Sequence, residues 1–109
     1  MSRKITLPQL KKYDITQKVI EALADAESRA IIFSITRKGK TAANLSASLK
    51  IPLSSVYKKL SYLESLTVIE IEKTILSENG MRFKIYKSRI SRAEISIKRP
   101  EPTLTLSAN

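Results

Sequence analysis

Five residues in one stretch carry most of the chemistry this sequence offers: Ser54, Ser55, Tyr57, Lys58 and Lys59. Hydroxyls, a phenol and ammonium groups so closely spaced can bond phosphate oxygens and base edges. Lysine can read guanine or hold phosphate, and the residue type does not distinguish the two. Ser54 and Lys58 also have the spacing of a Ser/Lys pair on one helix face, but no oxyanion-site glycines or second carboxylate accompany them. The chain has no Cys and no His. That excludes disulfides, zinc sites built on Cys or His, thiol redox sensing and Ser/His or Cys/His triads. Its two glycines exclude a phosphate-cradling loop of the GxxxxGK kind. No catalytic residue, metal or cofactor is expected, and the chain does not read as an enzyme.

The elements around these residues give them a frame. Val56, Leu60 and Leu63 fall at helical spacing and predict a helix over 53–66 with a buried stripe, leaving the five polar side chains off it. A shorter helix is expected over 42–49, with Thr41 as hydroxyl N-cap and Leu45 and Leu49 on one face. Lys50-Ile51-Pro52 separates the two, because proline disfavours helical geometry before it and suits the first turn after it. Two helices joined this tightly, the second presenting polar groups at its start, have the layout of a helix-turn-helix. Two ordinary helices of a small domain have the same periodicity. Tyr57 fits either a DNA contact or a cap on the core, and Ser54 and Ser55 either contacts or supports of the first turn. Tyr62, Phe83 and Tyr86 read as structural, although an exposed aromatic pair on a sheet would suit stacking on single-stranded bases.

Upstream, Asp14 to Gln17 resembles a capping box, opening a helix to about residue 24 with Ile15, Val19 and Leu23 in line. A helix over 27–37 carries Ile31, Ile32, Phe33 and Ile35 and is apolar on most faces, which marks it as the central core helix. Gly39 is expected to end it in a left-handed cap. Downstream the period becomes extended over 68–76 and 81–90, with Asn79-Gly80 between. If those two residues form the loop, Glu72 faces Lys87 and Glu70 faces Arg89. Lys73, Arg82, Lys84 and Lys87 would then lie along a sugar-phosphate backbone. Residues 92–99 predict another strand, and Pro100 and Pro102 break it. The weak alternation at Leu104 and Leu106 leaves three readings open: an extension of the sheet, pairing with a second subunit, or a loose tail.

At 109 residues the chain supports one core. It divides into a flexible basic arm over 1–12, a folded domain over 13–99 and a tail over 100–109. The arm either starts the chain without order, follows DNA phosphates, or exchanges with a second subunit. Twenty Lys and Arg against ten Asp and Glu give +10, which points to a polyanion, nucleic acid before anionic membrane. The charge is uneven: residues 13–36 carry Asp14, Glu21, Asp25 and Glu27 against Lys18 and Arg29, while residues 73–99 carry eight bases against Glu78 and Glu94. No signal-peptide run or membrane-spanning stretch is visible, so a cytoplasmic, nucleoid-associated protein without membrane contact is expected.

The order of helix, helix, helix-turn-helix and hairpin resembles the winged helix-turn-helix transcriptional regulators, and within them the ArsR-like group and its archaeal relatives. The likeness runs from Leu23 to Arg89. It rests on Ala24-Asp25-Ala26-Glu27-Ser28-Arg29, on Thr41-Ala42-Ala43-Asn44-Leu45, and above all on Ile51-Pro52-Leu53-Ser54-Ser55-Val56-Tyr57-Lys58-Lys59-Leu60, which is similar to the family's Ser/Thr-Val-Tyr-Arg recognition helix. The resemblance implies an α+β, mostly α fold: about four helices, a β-hairpin wing and a further C-terminal strand. It also implies sequence-specific binding of double-stranded DNA by a homodimer on an inverted repeat. Ser54, Ser55, Tyr57, Lys58 and Lys59 would face the major groove, with Thr41 and Lys50 at the turn and Lys73, Arg82, Lys84 and Lys87 on the wing, whose tip is Asn79-Gly80. The metal-sensor role of some members does not transfer, since its Cys and His are missing. The helix that builds many members' dimers is replaced here by strand and prolines. A winged-helix protein-interaction module or an RNA-binding module is the alternative.

Overall fold

The apolar stripes fold into four helices followed by two hairpins: α1 (Leu7–Ala24), α2 (Ala26–Ser34), α3 (Ala42–Leu49), α4 (Leu53–Ser65), β1 (Ile69–Leu76), β2 (Arg82–Ser88), β3 (Ile90–Ser96) and β4 (Thr103–Ala108). The computed structural model describes residues 7–109, with side chains from residue 15. The arm expected over 1–12 lies outside the described residues as far as residue 6. Residues 7–12 instead begin α1, ahead of the expected start at Asp14. Pro8 falls in the first turn, where its missing N–H has no intrahelical acceptor to lose, and good helix formers follow it.

The core is built where the helical stripes converge. Ile31, Ile35, Leu45, Val56, Leu60, Leu63 and Ile69 are fully buried, and Leu23, Leu49 and Ile71 close its edges. Helix α2 supplies Ile31 and Ile32 to this core and its C-cap supplies Ile35, yet Phe33 on the same helix is exposed. The helix ends at Ser34, three residues before the expected limit. Ile35 N–H reaches both the Ile31 and Ile32 carbonyls at 3.2 Å, and its own carbonyl accepts Ser88 N–H from β2 at 3.0 Å. A tertiary bond thus ends the helix, not a left-handed glycine.

Gly39 has another use. A Cβ there would stand 2.6 Å from Ile85 Cγ2 and 3.1 Å from the Tyr86 carbonyl oxygen. The close approach lets Lys40 pair with Tyr86 in both directions, at 3.0 and 2.8 Å, so one residue of the α2–α3 connection lies beside β2 as a third strand.

The first hairpin forms with a register unlike the expected one. Leu76 opposes Arg82 and Thr74 opposes Lys84; after an irregularity at Glu72, Glu70 opposes Lys87. A two-residue turn of the kind favoured by Asn-Gly needs two residues with positive φ. Only Gly80 supplies one, at 83°. The loop therefore takes three residues, closed by Gly80 N–H to the Ser77 carbonyl at 3.0 Å and by Ser77 N–H to the Met81 carbonyl at 2.8 Å. Glu70 still approaches Arg89, at 3.7 Å, but diagonally.

The C-terminal region departs further from expectation. Its strand does not stand alone: β3 pairs with β4 antiparallel in a separate two-stranded sheet, so Thr103–Ala108 is strand and not tail. The weak alternation at Leu104 and Leu106 is the β4 half of that ladder. Asn109 anchors the base of the hairpin by donating its side-chain amide to the Thr36 and Ser88 carbonyls at 2.8 and 2.9 Å.

Substituting Gly39→Ala should lower stability by about 1–3 kcal/mol, the usual cost of forcing a group into a filled site. Denaturant unfolding of the two proteins measures it. An unchanged midpoint would mean that the loop and β2 are not held this close.

Candidate nucleic-acid interface

Helix α4 is oriented by its buried stripe. With Val56, Leu60 and Leu63 inward, the helical period places Ser54, Tyr57, Lys58 and Ser61 on one outward face. All four are exposed, while Ser55 and Lys59 are half-buried at its margins. Ser61 extends the face by a turn and was not picked out from the sequence.

The turn before α4 is held by local bonds. Thr41 Oγ1 accepts Asn44 N–H at 3.1 Å and caps α3. Lys50 sits in the left-handed region (φ 56°, ψ 43°), its N–H bonded to the Ser46 carbonyl. Ser46 Oγ donates to the Ile51 carbonyl at 2.6 Å. Lys50 leaves its side chain exposed at the turn.

Lys59 has a different environment from its neighbour Lys58. Its ammonium lies 2.8 Å from Asp25 Oδ2 and 3.6 Å from Glu27 Oε1. Asp25 is the N-cap of α2 and also accepts Ser28 N–H at 3.0 Å and Ser28 Oγ–H at 2.7 Å. The Lys59 hydrogen bond, followed by those from Ser28, lowers the Asp25 carboxyl to about 2. The same carboxylate holds the Lys59 ammonium above its ordinary range. Arg29 completes the node from the other side, donating to the Leu23 and Ala24 carbonyls at 2.8 and 3.0 Å and so capping the end of α1. The stretch from Asp25 to Arg29 therefore joins three helices.

The wing bases fall into two groups. Along β2, Arg82, Lys84 and Tyr86 share one face. Tyr86 is buried in the core cluster, and its phenol is pushed up by burial first and then by Glu64 and Tyr57 of α4. Arg82 and Lys84 are exposed on the face of β2 that carries Tyr86. Lys73 opposes Ile85 on the other face. Lys87, half-buried, donates to the Arg37 carbonyl at 2.5 Å. Phe83 is exposed but Tyr86 is not, so the two do not form an exposed aromatic pair.

A second basic feature was missed. Lys38 and Lys40 line an open hollow with Asn44 and Ser48 of α3. The only sequence signal was Lys38-Gly39-Lys40, which read as a helix stop.

Among the described residues no helix is long and apolar enough to cross a membrane. No family model matches the chain, and no curated protein matches it. Among solved structures it is similar to the crystal structure of NolR from Sinorhizobium fredii, with 15% identity, TM-score 0.60, and 80% of this chain and 81% of that chain covered. NolR has a winged-helix fold. The fold is accordingly a winged helix of the α+β class, with a second strand pair after the wing.

The Asp25 node gives an acid dependence of known sign. Its carboxyl titrates at about 2 when folded against an ordinary 3.8. The stabilisation is present above the ordinary value and is lost as pH falls from there through about 2. Asp25→Asn should therefore lower the melting temperature at neutral pH and show a shallower decline below pH 4 or so. Thermal melts over an acid pH series test this, and parallel curves for the two proteins would remove Asp25 from the account.

Proposed function

We propose that this chain is a sequence-specific regulator of transcription that binds double-stranded DNA, a binding protein and not an enzyme. The observation that carries the reading is the single exposed polar face of α4, formed by Ser54, Tyr57, Lys58 and Ser61 opposite a fully buried stripe. A helix of this kind, following a tight turn, enters the major groove by its N-terminal end.

In this reading Ser54, Ser55, Tyr57 and Lys58 meet base edges and phosphates, and Thr41 and Lys50 lie where the turn passes the backbone. Arg82 and Lys84 reach the neighbouring phosphates from the wing, with Lys73 on its other face. Lys38 and Lys40 add a phosphate contact at the start of α3. The ammonium groups of Lys59 and Lys87 already have protein partners, so their part is to hold α4 and the wing in place. The net charge of +10 supplies salt-dependent affinity for any duplex. Within the winged-helix regulators the recognition-helix motif favours the ArsR-like, archaeal-type group. The regulator acts as a homodimer on an inverted repeat, in the cytoplasm at the nucleoid.

Sequencing of genomic fragments retained by the purified protein at near-physiological salt should return a shared inverted repeat. On that site Lys58→Ala should cost about 1–3 kcal/mol, and much less on random duplex. Arg82→Ala and Lys84→Ala should weaken both DNAs alike and reduce the salt dependence by about one phosphate each. Equal losses on both DNAs for all three variants would count against a base-reading α4.

A further inference from the structure

The β3–β4 hairpin has a face that the single chain leaves uncovered. Opposed residues in an antiparallel pair share a side, so Ala93 stands with Leu106 and Ile95 with Leu104. The alternation carries Ile97 to the same side. The other side is polar, with Glu94 opposite Thr105 and Ser96 opposite Thr103. One apolar and one polar side is the pattern of a sheet packed on one face. Leu104 reaches the core cluster. Ile95, Ile97 and Leu106, however, are 46%, 80% and 40% exposed. Phe33, 83% exposed, adjoins this face, for it lines one groove together with Ala93 and Ile32.

We propose that a second copy of this chain covers this surface, in a two-fold dimer that brings the apolar side of β3–β4 and Phe33 of each copy against those of the other. Two observations select that occupant. Its apolar members carry no charge, and of the two arginines that line the groove beside Phe33, Arg92 is paired with Glu94 and Arg29 is bonded to the Leu23 and Ala24 carbonyls, so copies of a chain of net +10 meet here with less repulsion than on its basic faces. At roughly 200 Å² for a large side chain, its four most exposed members present on the order of 500 Å² per copy. Two copies then bring about 1,000 Å² from these side chains, which reaches the lower bound of a specific interface. A two-stranded sheet alone is marginal in water, and a facing copy would supply its missing layer. An isologous contact needs one self-complementary patch, which this surface provides.

The inference names the surface behind the homodimer of the regulator reading and rests on it only for that dimer's purpose. Its test omits DNA, so the failure of either is visible without the other. Sedimentation equilibrium over micromolar concentrations should show a dimer. Ile95→Glu with Ile97→Glu should weaken self-association about a hundredfold, because like charges would meet across the two-fold axis, with far-UV circular dichroism unchanged. The absence of native cysteine allows a second arm. Under mild oxidation Ile97→Cys or Leu106→Cys should give linked dimers, and Thr105→Cys on the polar side should not. Should the double variant fail to fold, the cysteine pattern decides. A wild-type monomer throughout, or linking as ready from Thr105→Cys as from the apolar positions, would overturn the proposal.

Discussion

The rest of the molecule depends on which way α4 is turned, and burial of one stripe decides that. Val56, Leu60 and Leu63 are each fully buried, and removing such side chains from water contributes about 1.5–3 kcal/mol apiece. The ion pair from Lys59 to Asp25 is partly exposed and screened, and pairs of that kind contribute about 1 kcal/mol or less. Burial therefore sets the rotation of the helix. The ion pair acts within that rotation, holding the flank of α4 to the first turn of α2. The polar face is what remains outward once the stripe is inward.

A second constraint positions the wing against that face. A bare hairpin can swing about its base, and β1–β2 does not stand bare: Lys40 pairs with Tyr86 on both sides of the residue, and Ile35 accepts from Ser88. Both contacts need the α2–α3 connection to pass close to β2, which the lack of a side chain at Gly39 permits. Arg82 and Lys84 share the face of β2 that carries the buried Tyr86, so the same ladder that fixes the strand fixes the side on which these bases stand.

How much of this was legible in the sequence follows from the range of the interactions involved. The α3–α4 pair was readable because its signals are local: Thr41 as cap, Pro52 as stop and start, and a stripe of one helical period. The exposed and buried faces of α4 came with that period. Lys59 was not separable from Lys58, because its partner Asp25 lies 34 residues away. Gly39 was misread for a similar reason, since it looks like a helix cap until Ile85 is known to pack against it. The hairpin itself was plain from Asn79-Gly80, but two loop lengths use that dipeptide, and the choice shifted every cross-strand pair. The β4 strand was hidden because Leu104 and Leu106 gain meaning only beside Ala93 and Ile95.

Helix α2 ties these pieces into one mechanical unit. Its first turn is bound to α4 through Asp25 and Lys59. Its last residues receive β2 through Ile35 and Ser88. Its outer side, Ile32 and Phe33, faces β3 across the groove that Ala93 and Ile90 line. A nine-residue helix with Ile31 and Ile32 in a close-packed core, and a buried Ile35 at its C-cap, does not bend between such contacts. In the proposed dimer, the placement of one β3–β4 face against its copy is therefore carried through α2 to the two α4 helices. The distance between the half-sites they read is then set by core packing and not by the reach of flexible side chains.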